Sequence, residues 1–147
     1  MNEGFLHKQQ ERTDSIKSKF ISPENLRELC SGDEVLESLL EDVFSYSQRY
    51  VQDVWEMDAL NARLKTGEIS REVWKEEMDK EDLARTQLHN ALIDSIGILS
   101  RNMGKRDIDN SWVKDFLGSD GKLARTSCGA YAFVVLFELL ESAHEGK

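Results

Sequence analysis

Histidine, cysteine and proline are scarce in this chain of 147 residues, and each scarcity narrows what the protein can be. The three histidines, His7, His89 and His144, stand far apart, and no Glu or His lies three or four residues from His89 to complete the pairs of a helical metal site. A histidine-based metal centre is not expected. The two cysteines, Cys30 and Cys128, show no CxxC or similar spacing, which argues against zinc ribbons and redox pairs and points to a reduced, cytoplasmic protein. Cys128 sits where a last helix should begin, but with no histidine near it in sequence it reads as inert and buried. The single proline leaves long stretches free to be helical. A glycine-rich phosphate loop and a GxSxG elbow are absent. The longest apolar run, Ala130 to Phe137, ends at Glu138, well short of the roughly 20 residues a spanning helix needs. The first twenty residues lack the apolar stretch of a secretory signal.

Hydrophobic residues make up 39% and charged residues 32%, so the chain has enough apolar surface to build one core. The net charge of -9 is uneven: residues 33–82 hold fifteen acids and six bases, whereas the flanking segments balance. Such a surface repels nucleic acid and anionic membranes, and no direct binding to either is expected.

The pattern predicts an all-α fold, a long antiparallel helical hairpin packed with a buried C-terminal helix. Ser22-Pro23-Glu24 is a start signal for a short helix to about Cys30. After Ser31-Gly32-Asp33, Leu36, Val43, Tyr50, Met57 and Leu64 recur every seven residues, with Leu40 and Val54 between them. This coiled-coil-like seam, weakened at Ser47 and Asn61, predicts a helix from about Asp33 to Lys65, ended by Gly67. Ser70 caps the next helix, which runs to about Gly104. So short a connection makes the two antiparallel neighbours. Residues whose numbers add to about 135 should face one another. A short helix near 111–117, a loop at 118–121 and a final helix over about 127–143 complete the domain at 22–147. Residues 1–21 form an arm, for which a mobile segment and a loosely docked helix both fit. Gly97 and Gly129 fall on predicted helices, where close helix contact is the expected compensation for glycine.

Few residues carry chemistry. The acid pairs Glu34 with Glu37 and Glu76 with Asp79 have i, i+3 spacing, but the hairpin separates them by about 30 Å, and solvated helix faces account for them. Arg85 and His89 lie beside apolar positions, and the pairing rule sets Tyr46, Tyr50 and Asp53 across from them. The expected result is a semi-buried polar cluster that fixes register, with a small-ligand pocket as the alternative. A buried Arg85 should cost a few kcal/mol to remove. The final helix is too short to cover the whole hairpin, which leaves Trp55, Met57, Leu60, Trp74 and Met78 at the turn end as a candidate interface. No catalytic residue and no cofactor is expected. The sequence points to a non-catalytic interaction or regulatory protein, a homodimer or the partner of another protein. An acidic mimic of nucleic acid and an enzyme using the Arg85 and His89 cluster are the alternatives.

Overall fold

A computed structural model describes residues 3–16, 20–117 and 131–138, with side chains placed at 7–14, 20–116 and 131–138. The described residues contain no strand. The chain runs through α1 (Glu3–Ile16), α2 (Pro23–Cys30), α3 (Glu34–Lys65), α4 (Arg71–Lys105), a 3-10 turn (Ser111–Val113) and α5 (Lys114–Leu117), then a helical segment at 131–138. The arm that the sequence left open is helical over α1. The loop at 118–121, both ends of the last helix, Cys128 and Gly129 lie outside the described residues.

Local chemistry explains where the helices begin and end. Ser22 Oγ accepts a hydrogen bond from the Asn25 amide, Asp33 Oδ1 from the Val35 and Leu36 amides, and Ser70 Oγ from the Val73 amide. Each satisfies donors that a helix start leaves open. At the end of α3 the Glu68 amide bonds back to the Arg63 carbonyl and the Gly67 amide to the Leu64 carbonyl. This paired closure needs a left-handed residue, supplied by Gly67 at φ 79°. The same closure ends α4, from Ile108 to Met103 and from Asp107 to Gly104, with Asp107 in the left-handed position at φ 57°. The sequence expected the stop at Gly104, yet an aspartate three residues later makes the turn, and Ile108 packs on the core beside buried Met103. Aspartate tolerates this conformation better than most residues.

The two long helices, of 32 and 35 residues, pack antiparallel along their length. Contact between Asn61 and Trp74 matches the expected sum of 135, and the pairs Tyr50 with His89 and Asp33 with Arg106 drift to 139. The core occupies the open end of the hairpin. Leu26 and Cys30 of α2, Leu36 through Val51 of α3, Leu92 through Met103 of α4, then Trp112, Phe116 and Tyr131 through Val135 form one buried cluster. Phe116 stands edge-on to both Trp112 and Tyr131, and Phe20 stacks on it at 5.1 Å. Aromatic pairs in these geometries add to the area they bury. Among the described residues Gly97 does not meet a neighbouring helix: a Cβ there would touch only the Arg101 guanidinium of its own helix, at 3.4 Å. Among the described residues no helix is long and apolar enough to cross a membrane.

Candidate functional site

Mid-hairpin, α3 and α4 bring polar side chains to their shared seam, but not in the combination the pairing rule suggested. Tyr50 and His89 meet as tilted rings 5.2 Å apart, both half-buried. Tyr46 lies under the Arg49 guanidinium at 5.8 Å, a contact within α3. Arg85 turns along its own helix, where Nη2 donates to Asp82 Oδ1 at 3.0 Å and Nη1 approaches Met57 Sδ at 3.4 Å. Its side chain is 38% exposed. Arg85 is therefore half-buried, with an acid one turn away on α4 drawing one end of the guanidinium outward.

Asp53 is the residue the hairpin encloses. It keeps only 6% of its surface exposed, and among the described residues its Oδ2 has no hydrogen-bond partner while the acids around it are ionised. Facing it are two further acids, Glu56 one turn on along α3 and Glu81 from α4, with carboxylate oxygens of all three within 4.8 Å of one another. The i, i+3 spacing puts Asp53 and Glu56 on one face of α3. A shared hydrogen bond with Asp53 pushes the Glu81 carboxyl up to about 7, with burial and the charges of Asp53 and Glu77 acting in the same direction. Beside Asp53 and Glu56 an open recess of about 370 Å³ is lined also by Gln48, Arg49, Gln52 and Leu88.

The sequence places Asp53 across from Arg85 and His89 by the pairing rule. The register sum of about 135 nonetheless places residue 82 opposite Asp53, so Glu81, its neighbour, was the available signal. Glu34, Glu37, Glu76 and Asp79 form no such cluster among the described residues.

Toward the turn end, Met57 and Leu60 are each 8% exposed, so hairpin packing covers them and removes them from the surface proposed by the sequence. Trp55, Trp74 and Met78 are half-buried. Trp74 Nε1 donates to Asn61 Oδ1 at 3.0 Å, while Trp55 Nε1 is shielded without a partner. Val73 and Leu83 are exposed on α4. Cys30 is a buried free thiol whose pKa is raised by burial first and by Asp33 and Glu37 second, the profile of an unreactive cysteine.

Residues 5–119 match the family model described as a protein of unknown function (DUF3232), and the chain belongs to that family. No curated protein and no solved structure matches it.

Proposed function

We propose that the protein is a non-catalytic helical interaction protein whose turn-end hairpin docks a second copy of the chain, in a reducing cytoplasm. One observation carries this reading. Among the described residues the contiguous core stops at Val51 on α3 and Leu92 on α4, although the helices run on beyond for about 20 Å and about 30 Å, with Trp55 alone packing against its edge. Past that point only Met57 and Leu60 are buried among the large apolar residues, and Trp55, Trp74 and Met78 remain half-covered. Among the described residues these two helices have no third layer over such side chains, and a second hairpin laid against the first supplies one as a four-helix bundle. Two-fold pairing is the commonest route to such closure.

The acidic-mimic alternative has less support, because Arg49, Arg63, Lys65, Arg71, Lys75 and Lys80 interrupt the acids of this stretch. The pocket-enzyme alternative loses the Arg85 convergence on which it rested. Sedimentation equilibrium on the wild type and on Trp74→Glu tests the docking reading. A wild-type dimer that the charge splits into folded monomers is the expected result. A monomeric wild type across the micromolar range overturns self-docking and leaves a foreign helix as the occupant to seek.

A further inference from the structure

Asp53 is a feature of the hairpin that its own packing does not explain. A helical aspartate ordinarily faces water, yet this one is enclosed, and once Glu81 is ionised its Oδ2 is left without a donor among the described residues. Desolvating a carboxylate without a compensating partner is costly. The groups drawn up to it are two more carboxylates, from Glu56 and Glu81, when mutual repulsion should keep three acids apart. A cation among them supplies both the missing partner and the missing charge.

We propose that Asp53, Glu56 and Glu81 bind one hard divalent cation that bridges α3 to α4. An all-carboxylate donor set, without imidazole or thiolate, suits Ca²⁺, Mn²⁺ or Mg²⁺ and disfavours zinc or copper. Oxygens up to 4.8 Å apart fit opposite sides of a Ca²⁺ ion, whose bonds to oxygen are about 2.4 Å. The exposed Glu56 and the recess beside Asp53 give the ion a path in and leave room for water in the remaining coordination positions. The surrounding charge favours a cation. Glu77, one turn before Glu81, adds a negative charge that Lys80 partly offsets at 3.6 Å, while Arg49 lies over the Tyr46 ring and Arg85 is engaged with Asp82 and Met57.

This inference stands apart from the docking reading, since the three acids belong to one chain and need no partner. The test is a Mn²⁺ titration of the full chain freed of metal, following free Mn²⁺ by electron paramagnetic resonance with Ca²⁺ as competitor, and repeated on the monomer if a dimer forms. One Mn²⁺ per chain, displaced by Ca²⁺, is expected, together with a thermal midpoint that rises with Mn²⁺. Glu56→Gln lies at an exposed position and keeps the fold, as circular dichroism would verify, and it should weaken binding about tenfold or more, as should Glu81→Gln. The double variant Glu34→Gln with Glu37→Gln, at the other end of α3, should bind as the wild type does. Absence of saturable binding at millimolar Mn²⁺, or binding that Glu56→Gln and Glu81→Gln both retain in full, overturns the proposal.

Discussion

Asp33 and Arg106 close the open end of the hairpin: the residue that caps the start of α3 pairs through Oδ2 with Nε of the residue that ends α4, across 73 positions of sequence. One carboxylate thus serves two purposes, because its Oδ1 accepts the Val35 and Leu36 amides. The hydrogen bond from the Leu36 amide is the leading reason its pKa is lowered, opposed by desolvation and reinforced by Arg106. A folded pKa below the unfolded one means the unfolded chain takes up the proton first. The stabilisation is therefore present above about pH 4 and is lost as pH falls through the folded value. Asn keeps the cap but not the charge, so urea midpoints of Asp33→Asn measured from pH 5 downward should fall less steeply than those of the wild type. Equal slopes would show that the pair does not contribute.

Ser47 separates the heptad reading from the packed structure. The seam pattern marks it as a weak position that Leu would repair. Its side chain is instead fully enclosed, with Oγ donating to the Val43 carbonyl at 2.8 Å. Ser47→Ala should change stability by no more than about 0.5 kcal/mol, since only a local bond within the helix is lost. Ser47→Leu should cost about 1–3 kcal/mol through overpacking. Chemical denaturation of both variants checks the order.

Arg85 and Glu81, one turn apart on α4, should respond in opposite directions. Arg85→Ala removes a partly exposed i, i+3 pair and should cost under about 1 kcal/mol, far less than a buried arginine would. Glu81→Gln should stabilise the metal-free protein above about pH 7, because the amide donates to Asp53 at every pH, whereas the Glu81 carboxyl does so only while protonated and repels Asp53 once ionised. Thermal midpoints in the presence of chelator are the measurement, and a lower midpoint for Glu81→Gln would contradict this.

The aromatic end of the core gives a paired prediction. Phe116 is wholly buried between Trp112, Tyr131 and Phe20, so Phe116→Ala should cost about 3–5 kcal/mol and shift the Trp112 fluorescence. Tyr131 carries a hydroxyl with no hydrogen-bond partner among the described residues, and burial drives its pKa strongly upward. Tyr131→Phe should be neutral or stabilising by about 1 kcal/mol, as the change deletes an unpaired buried polar group. A large loss of stability in Tyr131→Phe would reveal a partner beyond the described residues.

The sequence by itself determined the helices and their connection. Ser22, Asp33, Ser70 and Gly67 act within one turn of their own positions, so the boundaries of α2 and α3 and the start of α4 were legible from neighbouring residues, and the short link after Lys65 made the hairpin antiparallel. Only the tertiary structure decided which side chains meet. A four-residue drift in register, about one helical turn, is enough to bring His89 rather than Arg85 to Tyr50, whereas Asp53 meets Glu81 close to the expected register. Side-chain choices added to this, since Arg85 had an acid of its own helix within reach and Met57 and Leu60 could be covered by α4. Local hydrogen bonds depend on a few adjacent dihedrals, whereas encounters across a hairpin sum small rotations over thirty residues, and no pattern in one strand of sequence records that sum.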